Sequence, residues 1–192
     1  MKIMLNRVQV AFLDIFEAVA VEGSDNPKFG IKLVIDPKNR AHIETLDAAI
    51  LATAKEKWKE KAEAVLSKLT VLGKPKNIET CFVREPYPNR DGNPHEGFEG
   101  MYYVSATSPN RPLVIDRDKS PLRPSDGRPY GGSICNVQLE VWAQDNKWGK
   151  AVRAEIKAIQ FVEDGPRFSG SAPANLDDFE SLAVAHDGSD LV

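Results

Sequence analysis

Polar and apolar residues alternate in several segments of this chain, and one long segment between them carries a different period. Phe29, Ile31, Leu33 and Ile35 fall on one side of an extended segment, with Gly30, Lys32 and Val34 on the other. That two-residue period predicts a strand with one buried face. Arg7 to Phe16 mixes apolar and polar positions and predicts a first strand with a bend. Tyr102 to Thr107, Ile134 to Ala143 and Val152 to Val162 alternate again, and Cys81 to Arg84 and Leu113 to Ile115 are shorter strand candidates. Gln144 to Lys150 suits a hairpin loop between the last two long strands. From Asp36-Pro37 to about Leu69 the period becomes helical. Ile43, Leu46, Ile50, Trp58, Ala62, Val65 and Leu69 form one stripe. Asp36 is the expected cap and Pro37 the expected first helical residue. Some 30 residues is long for a globular helix, so a break inside it is allowed for.

Glu85 to Gly100 and Ser108 to Gly132 are rich in Pro, Gly, Asn and Asp and read as irregular. From Gly165 the chain turns to Gly, Ser, Pro and acidic residues, which bury little apolar surface. The expected organisation is one domain over residues 1–168 and a flexible acidic tail over 169–192. The fold class is mainly β with one long helix, a β-rich α+β arrangement. Strands interrupted once by a helix fit an OB-type five-stranded barrel with a helix insertion. They also fit other α+β folds.

Charge sharpens this division. The 192 residues carry a net charge of −3. No Lys or Arg follows Arg167, and Asp177, Asp178, Glu180, Asp187 and Asp190 lie in the tail, which leaves residues 1–170 with a net charge of +2. The tail interleaves its acids with Leu176, Phe179, Leu182, Leu191 and Val192. Such a mixture suits a basic, partly apolar groove on a partner, or the chain's own anionic-ligand site. Two cysteines, Cys81 and Cys135, are too few for a disulfide framework. The N-terminus lacks the apolar run of a signal peptide, and no segment reaches the roughly 20 apolar residues of a membrane helix. A cytoplasmic protein is expected.

The outward positions carry the candidate chemistry. Tyr103, Trp142, Arg153 and Lys157 alternate with apolar neighbours, and Lys147, Trp148 and Lys150 lie in the connecting loop. If the strands share a sheet, rings and cations share its solvent side. Rings stack on bases and cations neutralise phosphates, which is what a single-strand binder needs. Trp142 packed against the helix, with the cations merely solvated, is the simpler alternative. Arg111 and Arg117 belong to a basic irregular stretch that could flank the bound strand, and Lys32 adds an outward cation. Asp116 and Asp118 point the same way in an extended segment and could hold a nuclease metal. Their neighbours Arg117 and Lys119 favour a salt-bridged turn instead. The histidines lack zinc spacing, and there is no phosphate loop or dinucleotide fingerprint. No metal and no cofactor are expected.

Several segments resemble one bacteriophage family. They are Tyr130-Gly131-Gly132 through Asn136, Val141-Trp142-Ala143-Gln144-Asp145-Asn146, Lys147-Trp148-Gly149-Lys150 and Lys157-Ala158-Ile159-Gln160-Phe161. Val114-Ile115-Asp116-Arg117-Asp118 and Gly30 to Pro37 are similar as well. The family is that of phage single-stranded-DNA-binding proteins with an OB fold, formerly a domain of unknown function. The resemblance covers most of residues 1–165, and the stretch from Trp142 to Lys150 is its most specific part. It implies sequence-independent, cooperative binding of single strands in phage replication or recombination, within the host cytoplasm and without catalysis. It also implies homo-oligomers along DNA and a tail, with Phe179 among its acids, that recruits replication proteins. The alternatives are a metal-dependent nuclease using Asp116 and Asp118, or a protein-interaction module of the replication machinery.

Overall fold

The computed structural model describes residues 1–20, 25–69 and 80–168. In chain order the elements are β1 (Lys2–Val19), β2 (Lys28–Ile35), α1 (Arg40–Trp58), α2 (Ala62–Leu69), β3 (Phe82–Val83), β4 (Tyr102–Ser108), β5 (Leu113–Ile115), β6 (Ile134–Asn146) and β7 (Gly149–Glu163). The sheet runs β3-β4-β2-β1-β6-β7-β5, and a β4–β7 pairing closes β1, β2, β4, β6 and β7 into a barrel. The closing pair, Ala106 opposite Ala154, is parallel. The two small residues let the strands approach.

One strand serves two partners because it bends. β1 pairs with β6 through Lys2 to Gln9 and with β2 from Gln9 to Val19. Its register shifts between Leu5 and Val8 and between Ala11 and Asp14. Arg7 (φ 54°) and Phe12 (φ 50°) lie inside those shifts. An extra residue in one strand leaves its partner's ladder locally and increases the twist, which is how a flat ribbon becomes a barrel wall. The expected bend is thus two bulges, with a further register shift between Asp14 and Val19, in a strand longer than 7–16.

The inward faces meet in one core that includes Leu5, Val10, Leu33, Val104, Val137, Leu139, Val152 and Ile156. α1 closes one end of it with Leu46, Ala49, Ile50, Ala54 and Trp58. The helical stripe is as expected, but the cap is not. Asn39 caps the helix, its Oδ1 accepting from His42 N at 3.2 Å. Asp36 instead turns the chain, accepting from Lys38 N through Oδ1 and from Asn39 N through its carbonyl. Asp-Pro favours turn initiation, and the turn delays the helix by three residues. The allowed break occurs at Lys59 (φ 53°), where a short 3-10 turn separates α1 from α2.

β6 and β7 form the longest ladder. Their pairing runs to Asn146 opposite Gly149, so the expected loop narrows to Lys147-Trp148. Asn146 Oδ1 accepts from Trp148 N at 2.9 Å, and Gly149 at φ 109° takes the left-handed step that closes the turn. Leu139 pairs with Ile156 but Gln138 with Ala158, leaving Lys157 as an extra residue. This bulge changes the phase of β7. The buried set Val152, Ala154, Ile156 therefore continues through Ile159 and Phe161, not through Ala158.

Candidate nucleic-acid interface

The outer face of β2, β4 and β7 is assembled by register. Lys32 lies opposite Ser105, Ala106 joins Ala154 across the closure, and Trp142 lies opposite Arg153. In five-stranded barrels of this kind this face, with the loops at its two ends, takes oligonucleotides. One such loop is the β6–β7 turn.

Lys32 occupies the middle of this face. Its Nζ donates to Ser105 Oγ at 2.5 Å and lies 4.8 Å from the Tyr87 ring and 5.9 Å from the Tyr103 ring. Burial lowers its pKa to about 8. Among the described residues it forms no ion pair. A buried ammonium without a carboxylate is costly, and an arriving anion offsets that cost.

Tyr103 is not on the solvent side, as its alternation implied. It is 1% exposed. The segment 85–100, irregular from its Pro, Gly, Asn and Asp content, folds back over that part of the sheet. It brings Phe98 against Ala11, Val34 and Tyr103, with Tyr87 at 5.0 Å edge-on to Tyr103. Burial pushes the Tyr103 phenol up to about 12, with smaller contributions from Tyr87 and Glu85. Alternation identifies an outward residue but says nothing of what covers it. Tyr103 therefore positions Tyr87 and cannot itself stack on a base.

The hairpin tip fits the expectation better. Trp148 is 80% exposed and Trp142 42%. Lys147 Nζ lies 5.0 Å from the Trp148 ring. At the root of the turn Asp145 holds two side chains together. It pairs closely with Lys150 and accepts from Trp58 Nε1 at 2.8 Å. These hydrogen bonds, Lys150 first, pull its carboxyl below the usual range. Lys150 also lies 5.7 Å from the Trp58 ring. The end of α1 thus braces the hairpin while the tip stays clear.

Other expected contacts are committed elsewhere. Lys157 donates to Glu140 and to Glu155, each at 2.8 Å, so its charge is already balanced. Arg117 lies 5.5 Å from the Phe161 ring and Arg111 5.8 Å from Phe16, both outside the β2–β4–β7 face. Asp116 pairs with Arg128 at 2.8 Å and accepts from Arg117 N at 2.7 Å. Asp118 accepts from Ser120 Oγ and N, and these bonds lower its pKa. The pair builds a salt-bridged turn. Among the described residues no group of three or more His, Cys, Asp or Glu could hold a metal. Asp177, Asp178, Phe179, Glu180, Asp187 and Asp190 lie outside the described residues.

Sequence reading missed Tyr87 and His95. Their rings stack at 5.1 Å with 17° between planes. Two rings in a Gly/Pro-rich loop were the available signal.

A family model described as "Enterobacter phage Enc34, ssDNA-binding protein" matches residues 1–190. Protein p50 of Acyrthosiphon pisum secondary endosymbiont phage 1 is 37% identical over 191 residues, covering 97% of each chain. The solved single-stranded DNA-binding protein of bacteriophage Enc34, in complex with ssDNA, superposes with a TM-score of 0.68 at 21% identity, over 88% of this chain and 89% of that one. The single-stranded DNA-binding protein gp2.5 of bacteriophage T7 gives 0.53 at 14% identity, over 91% and 98%. The barrel is the OB fold of these proteins.

Proposed function

The chain belongs to the Enc34 family of phage single-stranded-DNA-binding proteins, and from that premise we propose that it binds single-stranded DNA without sequence preference across the outer face of β2, β4 and β7. The observation that carries this reading is Lys32, a desolvated cation with no carboxylate partner among the described residues, flanked by rings at the centre of the face. A strand phosphate completes its pairing. Trp148 and Trp142 supply stacking surface, and Lys147, Lys150 and Arg153 lie beside them. Stacking is sequence-tolerant because every base has a π-face. The protein acts by occupancy and not by catalysis.

Residues 1–168 form the binding domain, and residues 169–192 compete with DNA phosphates and recruit replication or recombination proteins in the host cytoplasm. The five acids and absent cations of the tail support this. The test is a titration of unlabelled oligo-dT into the full chain at low and raised salt, read by tryptophan fluorescence. Quenching that weakens with salt is expected. No quenching and no shift in electrophoretic mobility, even without residues 169–192, would remove the proposal.

A further inference from the structure

A second ring-and-cation site lies beyond this face, on the β1 side of the barrel. It is a cavity of about 580 Å³ lined by Phe12, His95, Glu96, Tyr130, Gly131 and Arg167, among others. Its most telling residue is Phe12. The ring is 45% exposed on a backbone at φ 50°, where a bulky side chain pays a steric cost. Bulges commonly re-aim a side chain toward a site, and this one holds an apolar ring at the cavity's edge. The ring meets His95 edge-on at 4.9 Å. Opposite, the Arg167 guanidinium lies 3.7 Å from the Tyr130 ring. That ring is held in turn by its hydroxyl, which donates to Asp164 at 2.8 Å. The wall is built and not incidental. Phe168 N donates to Gly131 O at 3.0 Å, and Gly132 N to Val10 O at 2.8 Å, so the strand end, the turn and β1 are tied together.

We propose that this cavity takes one nucleotide of a longer bound strand, its base against Phe12 and His95 and its phosphate at Arg167. The inference rests on the single-strand reading above. Continuity supports it. From Lys32 the path steps to Tyr87 at 4.8 Å, to His95 at 5.1 Å and to Phe12 at 4.9 Å, an unbroken file of rings from the barrel face to the cavity. The planar cation beside a ring matches base and phosphate together.

The test compares oligo-dT of about 5 and about 16 nucleotides, the range a single OB fold covers, on the full chain by fluorescence anisotropy. Phe12→Asn removes the ring and tolerates the left-handed backbone, Arg167→Ala removes the cation from another element, and Phe12→Tyr keeps a ring. Melting curves establish that each variant folds. The first two are expected to bind the long strand about 5- to 150-fold more weakly and the short strand within about twofold of wild type, with Phe12→Tyr near wild type at both. Unchanged long-strand affinity, or equal loss at both lengths, overturns the inference. Tighter binding at both lengths also overturns it, because the cavity would then hold the chain's own acidic tail. Wild type binding neither length would instead remove the single-strand reading itself.

Discussion

Replacing Lys32 by methionine keeps the aliphatic stem between Tyr87 and Tyr103 and removes the charge. The amine's pKa falls from 10.5 to about 8, and burial is the cause. At about 1.4 kcal/mol per tenfold in proton affinity, the charged amine costs the folded state about 3 kcal/mol at neutral pH. The lost hydrogen bond to Ser105 returns about 1 kcal/mol of that. Lys32→Met is therefore expected to be about 2 kcal/mol more stable than wild type at pH 7. The sign of the pH dependence follows. Below pH 8 the lysine is charged in both states and the cost is complete. Between pH 8 and 10.5 the folded protein sheds the proton first, so wild type recovers the difference as pH rises. Denaturant unfolding at pH 7 and pH 10 measures both values. The same variant is expected to bind oligo-dT more weakly, with a salt slope shallower by about 0.7 for the lost phosphate contact. A variant less stable than wild type at pH 7, or a stability difference independent of pH, would refute the picture of a cation held at a cost for an anion.

Trp148→Ala is expected to weaken single-strand binding by about 5- to 150-fold with an unchanged melting temperature, because the ring touches little of the fold. Deleting residues 169–192 is expected to tighten binding at low salt. Unchanged or weaker binding of the truncated chain counts against competition by the tail. Gly132→Ala places a Cβ 1.9 Å from Pro166 O at φ 108°, so a loss of about 3 kcal/mol or more is expected in chemical unfolding. DNA incubated with the chain and Mg²⁺ or Mn²⁺ is expected to stay intact; cleavage lost in Asp116→Asn would restore the nuclease reading.

Much of the barrel was legible because burial imposes period. Cys135, Val137, Leu139 and Val141 alternate with Asn136, Gln138, Glu140 and Trp142, and the structure buries the first set. What period cannot report is an interruption of itself. The bulge at Lys157 exchanged Ala158 for Ile159 in the core, and those at Arg7 and Phe12 let β1 serve two strands. A capping residue three positions late was hidden by a second competent candidate, Asp36. Exposure was legible where side chains stand clear of the fold, as at Trp148. It was not where a distant segment decides exposure. Phe98 covers Tyr103, and Tyr87 meets Lys32 only because 85–100 folds back. Charge counts concealed this too. A net charge of +2 says little, whereas one lysine among rings, with no ion pair among the described residues, says a good deal.

Photo-crosslinking maps the bound strand directly. Oligo-dT carrying 5-iodouracil, irradiated with the full chain at low salt and digested, reports which peptides touch bases. Crosslinks are expected in the peptides that hold Tyr87, Trp142 and Trp148. Crosslinks confined to residues 111–128, with the β6–β7 hairpin unmodified, would contradict it.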